Sequence, residues 1–321
     1  MLSDVLRNKK CFKLVCGAGN EDVAEIEKLV YVYSKAGCNL FDLSANLEVI
    51  KAAKSGLKKA GINTDRYLCV SVGIKGDPHI NKAIIDQNSC QKCDACKKIC
   101  PQNAIFEDAL SYNIKKEKCI GCAKCTAVCR YGSITLESVE IDLKEVIPPI
   151  IEEGIDCIEF HAITENDGEV YKKWQMLSEM FNGIMSICID RTKLSDSKLI
   201  ERISNMTKGR SEYNTIIQAD GAPMSGGKDD YKSTLQAVAT AEIVQKINLP
   251  VYILLSGGTN SKSSELASLC CINISGVAIG TYARQIVREY ISAENFWDDS
   301  SVQNKAIDSA TKLVNAIFKW L

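Results

Sequence analysis

Short apolar runs alternate along this chain with stretches in which apolar residues recur every three or four positions. The runs are FKLVCGAG (12–19), NLFDLSA (39–45), YLCVSVGI (67–74), CIEFHAI (157–163), GIMSICID (183–190), YNTIIQADG (213–221), PVYILLSGG (250–258) and GVAIGTYA (276–283). Each is short, rich in β-branched or aromatic residues and bounded by turn formers, which reads as a strand. Between them, Val23, Ile26, Val30 and Tyr33 fall on one helical stripe, as do Leu47, Ile50 and Leu57, and near the end Val302, Ala306, Ala310, Leu313 and Ile317. Eight strands alternating with helices predict an α/β fold, a (β/α)8 TIM-like barrel. A doubly wound open sheet is the alternative, and the Gly-rich dinucleotide fingerprint that would favour it is missing from the first turn.

Composition narrows the function classes. Of 321 residues, 46% are hydrophobic and 25% charged, with 6 Pro, an ordinary globular balance. Lys and Arg number 39 against 40 Asp and Glu, a net charge of −1, so no global field invites nucleic acid or an anionic membrane. No apolar run approaches the roughly 18 residues of a membrane span. The start, MLSDVLRNKKCFKL, lacks the pattern of a secretory signal, and a cytoplasmic location is expected.

The outlier is cysteine, with 16 residues. Eight are scattered (Cys11, Cys16, Cys38, Cys69, Cys157, Cys188, Cys270, Cys271), mostly in apolar contexts where a free thiol is a small buried hydrophobe. The other eight form two runs, Cys90, Cys93, Cys96, Cys100 and Cys119, Cys122, Cys125, Cys129, each spaced C-x2-C-x2-C-x3-C and repeating after 29 residues. Three thiolates at such gaps wrap three corners of an iron–sulfur cube, and the fourth leaves to ligate the other cluster. One [4Fe–4S] cluster is therefore expected on Cys90, Cys93, Cys96 and Cys129, and the second on Cys119, Cys122, Cys125 and Cys100. Zinc sites pair two CxxC motifs across a longer loop and match poorly. The second run ends in Arg130 where Pro follows the first, placing a charge near cluster one without removing a ligand. Between residues 88 and 135 there are eight Lys or Arg and four Asp or Glu, an excess that offsets cluster charge.

This segment interrupts the alternation after the third strand. The expected domains are barrel (1–85), ferredoxin-like insertion (86–138) and barrel again (139–321). A loop after a barrel strand lies at the C-terminal face, where active sites sit, so the clusters are expected over the mouth.

Period-two alternation turns one set of strand side chains inward. That set includes Lys13, Asp42 and Ser44, Glu159 and His161, Ser186, Cys188 and Asp190, and Gln218 and Asp220. Buried charge without a partner is costly, so so many inward polar groups imply ion pairs or a reactive site. Lys13, Asp42, Glu159, His161 and Asp220 are the catalytic candidates, with His161 the candidate general acid or base. The loops after strands seven and eight, with Gly257, Gly258, Thr259, Asn260, Gly280 and Thr281, fit a phosphate site, for flavin mononucleotide (FMN) or a phosphorylated ligand.

KLVCGA near the start, DPH at 77–79, the paired cysteine runs, EFH at 159–161, QADGAPMSG at 218–226, LSGGTN at 255–260 and GVAIGTYAR at 276–284 together resemble the light-dependent period (LdpA) family of cyanobacteria. The resemblance runs from about residue 12 to 285, with Ala222 and Arg130 as departures, and places His79, Glu159 and His161 inside family blocks. It implies two iron–sulfur clusters and a role in reading cellular redox state. The cyanobacterial clock input is not carried over with it. Two functions follow as expectations: a redox enzyme passing electrons from a partner protein through the clusters to a ligand in the barrel mouth, or a non-catalytic sensor or adaptor that signals cluster state to a partner.

Overall fold

The computed structural model describes the chain except for residues 18, 63, 75–79, 109–110, 139–140 and 223–226. The DPH triplet with His79 and the PMSG part of the 218–226 block lie outside the described residues. A short helix α1 (Leu2–Arg7) leads into β1 (Cys11–Val15), α2 (Val23–Lys35), β2 (Leu40–Ser44), α3 (Leu47–Ala60) and β3 (Tyr67–Val72). A smaller unit follows, with β4 (Asn81–Ile85), α4 (Ala95–Ile99), β5 (Ile105–Glu107), β6 (Tyr112–Ile114), α5 (Lys124–Val128) and β7 (Ile134–Ser138). Alternation resumes with α6 (Leu143–Glu152), β8 (Cys157–His161), α7 (Asp167–Met180), β9 (Ile184–Ile189), α8 (Asp196–Thr207) and β10 (Thr215–Asp220). The chain closes with α9 (Tyr231–Ile247), β11 (Tyr252–Ser256), α10 (Ser263–Leu269), β12 (Gly276–Ile279), α11 (Thr281–Ile291) and α12 (Ser300–Phe318).

Eight parallel strands close in the order β1-β12-β11-β10-β9-β8-β3-β2. β1 pairs with both β2 and β12, so the sheet has no edge and the open doubly wound alternative is excluded. The helices form because each carries an apolar stripe toward the barrel and a polar start. Asp22, Asn46, Asp142, Asn166, Ser195, Asp230 and Asp299 accept backbone N–H bonds as N-caps. On α2, Ile26, Leu29, Val30 and Tyr33 are buried, one face of a 3.6-residue repeat.

Leu2 and Leu6 of α1 pack with Cys11, Leu40, Cys69 and Cys157 and close one end of the barrel. Six residues with two buried ones carry too little period to be seen in the sequence, and this helix was not anticipated. Six of the scattered cysteines are buried as small apolar groups; Cys270 and Cys271 are exposed and depart from that expectation. Burial pushes the Cys11, Cys16 and Cys69 thiols up, and Cys38 up to about 12, so they stay protonated and unreactive.

The small unit leaves after β3 and returns at α6. β4 pairs antiparallel with β7, and β5 with β6; in each cysteine run the first two cysteines precede a short helix, the third lies in it and the fourth caps its C-terminus. β4 thus pairs with β7 rather than with a barrel strand. Lys82 ties it to the barrel. Its buried ammonium donates to the carbonyls of Gly19 (2.6 Å), Lys116 (2.9 Å) and Cys119 (3.0 Å), one on the loop after β1 and two on the second cysteine loop. Lys118 pairs with Asp22 at 2.8 Å, and Arg288 of α11 donates to the Pro101 carbonyl and to the Gln102 side chain.

Replacing Lys82 by Met strands those three carbonyls in a dry seam. Lys82→Met should lower unfolding free energy by roughly 2–4 kcal/mol. Denaturant unfolding of the cluster-loaded chain checks this, and an unchanged midpoint contradicts the role.

Candidate functional site

Inside the barrel, Ser71 and Ser186 flank Glu159 in register on the neighbouring strands, so small hydroxyls leave room for longer side chains to converge. Lys13 Nζ reaches Glu159 Oε2 at 2.6 Å, Gln218 Oε1 at 2.8 Å and Asp42 Oδ2 at 3.5 Å. Ser186 Oγ donates to Glu159 Oε2 and Gln218 Nε2 to Glu159 Oε1, both at 2.8 Å. Ser71 Oγ donates to Asp42. All these groups are buried.

Burial opposes each of the three charges, yet the outcomes differ. At Lys13 the neighbouring Asp42 and Glu159 carboxylates overcome burial and hold the ammonium pKa well above its usual value. At Glu159 burial is overcome by Lys13 and His161, and the carboxyl is held below the usual range. At Asp42 burial wins, helped by Glu159, and the pKa is raised. One ammonium cannot neutralise two carboxylates, and Asp42 is the one that takes a proton first.

Above this layer lies a cavity of about 80 Å³, room for on the order of half a dozen waters. Asp42, Glu159, His161, Cys188, Gln218 and Asp220 form its floor. His161 Nε2 is 3.5 Å from Glu159 Oε1, and Cys188 Sγ is 3.7 Å from Asp220 Oδ2. Lys13 is absent from the lining and reaches the cavity through its bonds to Glu159, Gln218 and Asp42. Ser44 shares the face of Asp42 and its Oγ donates to the Asn20 carbonyl on the loop after β1, whereas Asp190 Oδ1 accepts from the Thr192 backbone and hydroxyl within its own turn.

The cavity wall is the glycine-rich rim. Gly257, Gly258, Thr259, Gly280 and Thr281 all line it. Gly257 has φ +68°, and a Cβ there would sit 2.3 Å from Asp220 Oδ1, so glycine is required by both backbone and space. Asn260 does not line the cavity. Its amide donates to the carbonyls of Lys228 and Asp230, bracing the loop ahead of α9. The Gly280 N-cap of α11 supplies no side chain to the first-turn N–H groups of that helix, which face an anion-friendly end.

Sequence reasoning missed Arg284 and Ile120. Arg284 is 4% exposed, lines the cavity, and donates from Nη1 to the Val15 carbonyl at 2.5 Å; its Nε has no partner among the described residues. It stands in the first turn of α11, three residues after Thr281, and that position was the available signal. Ile120 comes from the second cysteine loop, and nothing in its own neighbourhood signalled contact with the barrel.

The cysteine unit holds a second cavity, whose lining includes Cys100, Cys119, Cys122 and Cys125. Cys100 comes from the first run and the other three from the second. A groove beside it, lined by Cys122, Lys124, Thr281, Arg284 and Arg288 among others, leads toward α11.

A closed parallel barrel with a paired-cysteine unit set against its mouth defines an iron–sulfur barrel protein. Residues 88–140 match the LdpA Fe-S cluster-binding domain, and residues 149–319 match the Light dependent period A C-terminal domain. The chain belongs to the light dependent period A family. It is 28% identical to Light dependent period A of Synechococcus elongatus over 292 residues, 87% of this chain and 82% of that protein. A 47-residue stretch, 14% of this chain and 27% of the relative, is 36% identical to the electron transport protein HydN of Escherichia coli. Among solved structures, the YdjI aldolase of Escherichia coli K12 superposes with TM-score 0.53 at 7% identity, covering 100% of this chain and 99% of that one, a likeness of fold alone. The cysteine unit is thus an iron–sulfur cluster-binding domain.

The barrel floor makes a stability prediction. Lys13→Met strands a buried carboxylate and should cost about 3–5 kcal/mol, most of it regained in Lys13→Met with Glu159→Gln. A depressed Glu159 contributes stability above its unfolded pKa of about 4.3 that is lost as pH falls through the folded value; a raised Lys13 contributes below about 10.4 and loses it as pH rises further. The unaltered chain should therefore hold the full contribution of this pair between about pH 5 and 10 and lose it outside that window. A double variant no more stable than Lys13→Met contradicts the pairing.

Proposed function

We propose that the two cysteine runs hold two [4Fe–4S] clusters and that electrons pass from a partner protein through them to a phosphate-bearing ligand at the barrel mouth. The observation that carries this reading is Ile120. Among the described residues it is the one side chain common to the linings of the mouth cavity and of the cavity ringed by Cys100, Cys119, Cys122 and Cys125. The Ile120 side chain thus borders both the expected second cluster and the ligand space. The donor set fits a cubane, because four thiols from both runs converge on one cavity, the crossed pattern of two-cluster ferredoxins. When bound, the clusters supply electrons singly.

The residues of the barrel divide the remaining work. The α11 N-terminus, Gly257 and Gly258 and the Arg284 guanidinium suit a phosphate group, joining backbone N–H donors to a fixed cation. The body of the ligand then runs into the groove beside Cys122, which shares Ile120, Thr281 and Arg284 with the mouth. FMN has this form, with its phosphate in the mouth and its ring in the groove. His161, held by Glu159, carries the proton that each accepted electron requires. A sensor reading shares the same clusters. It is favoured by the Arg288 bonds to Pro101 and Gln102, through which strain in the first cysteine loop would reach α11.

Anaerobically purified full-length chain should contain about eight iron atoms, falling by about half in Cys129→Ser and in Cys100→Ser. Denatured under argon, it should release a phosphorus-bearing small molecule visible by 31P NMR. Arg284→Ala should weaken rebinding of that molecule about 10- to 100-fold, the loss of a charged hydrogen bond. Four iron atoms overturns the two-cluster assignment. Absence of any bound phosphorus compound, with no binding of FMN or inorganic phosphate, leaves the sensor reading in its place.

A further inference from the structure

The cavity floor gathers three donors of different chemistry. Glu159 Oε1, His161 Nε2 and Cys188 Sγ all lie within 4.8 Å of one another, and all three side chains are buried. Around a four-coordinate zinc ion with bonds of about 2.0–2.3 Å, neighbouring donors lie roughly 3.3–3.8 Å apart. The Glu159–His161 separation of 3.5 Å already matches that edge, and a Cys188 Sγ within 4.8 Å completes the triangle. All three residues line the mouth cavity, so a fourth position would face the ligand space.

We propose that Glu159, His161 and Cys188 form a mononuclear site for a divalent cation of the zinc class, with its fourth position open to the barrel mouth. The donor set favours that class. A thiolate and an imidazole suit zinc, whereas calcium and magnesium take oxygen ligands. Neighbouring bonds orient the donors: Lys13 and Ser186 hold Oε2 of Glu159, while Oε1 accepts from Gln218 and keeps its second lone pair on the side of His161. Charge also closes. The two charges of the ion, with those of Lys13 and Arg284, meet the Asp42, Glu159 and Asp220 carboxylates and the Cys188 thiolate. Binding breaks the S–H bond of Cys188, releases that proton to solvent and forms the metal–sulfur bond, with no oxidation or reduction.

Such an ion acts as a Lewis acid toward an oxygen of the mouth ligand, and a water on it takes over the proton-bearing part assigned above to His161. The proposal concerns the cavity of the proposed function but stands without its electron-transfer part. Iron content and ligand release decide that part; zinc decides this one.

The test is metal analysis with zinc K-edge X-ray absorption, on full-length chain purified anaerobically from zinc-supplemented cells with its clusters in place. About one zinc ion per chain should survive dialysis against EDTA, with about one sulfur near 2.3 Å and the other donors nitrogen or oxygen near 2.0 Å. Cys188→Ser should remove the sulfur and cut retained zinc roughly tenfold or more, while Cys270→Ser, at an exposed position, changes neither. No retained zinc beside a full complement of iron overturns the proposal. Zinc in an all-sulfur shell also overturns it, because that shell belongs to the cysteine runs. If Cys188→Ser does not accumulate folded, the spectrum of the unaltered chain decides alone.

Discussion

The buried ammonium of Lys82 sets the geometry on which the site depends. Two of its three carbonyl partners lie on the second cysteine loop and the third on the loop that leaves β1. Burying a lysine head to 7% exposure is costly without such partners, so the loops close on it together. With them closed, Ile120 sits between the cysteine cavity and the barrel mouth. Arg288 secures the opposite side through Pro101 and Gln102, the residues just after Cys100. The unit is therefore held against the mouth at both of its cysteine loops.

The barrel interior is organised by a second charge problem. A barrel built for stability alone fills its layers with Val, Ile and Leu. Here Lys13, Asp42, Glu159 and Gln218 occupy one layer, and the raised Asp42 and depressed Glu159 show one cation shared unequally between two acids. That layer supports the floor above it. By holding Glu159 ionised, Lys13 keeps a hydrogen-bond acceptor and potential metal donor 3.5 Å from His161, in a place where a carboxyl would otherwise protonate. Local stability is given up for a prepared site, as is common where pKa values are driven apart.

Much of this was legible in the sequence, for identifiable reasons. Strand period and turn residues located all eight barrel strands, and alternation placed Glu159, His161, Cys188, Gln218 and Asp220 on the inner face. Cysteine spacing located the iron–sulfur domain. What escaped was whatever depends on distance through space. Asp190 obeys the alternation but stands past the end of β9, where a turn claims its carboxylate. Asn260 sits among cavity-lining glycines, yet its amide braces another loop. Arg284 and Ile120 carry no local pattern, because their meaning arises only when α11 and the second cysteine loop meet.

The most direct test is a potentiometric titration of both clusters by electron paramagnetic resonance, with and without inorganic phosphate at constant ionic strength. An anion bound beside Arg284 lies next to one cluster and far from the other. The potential lost in Cys100→Ser should move to a more negative value when phosphate binds, while the potential lost in Cys129→Ser stays in place. Two potentials that ignore phosphate, or that move together, would contradict the shared wall at Ile120.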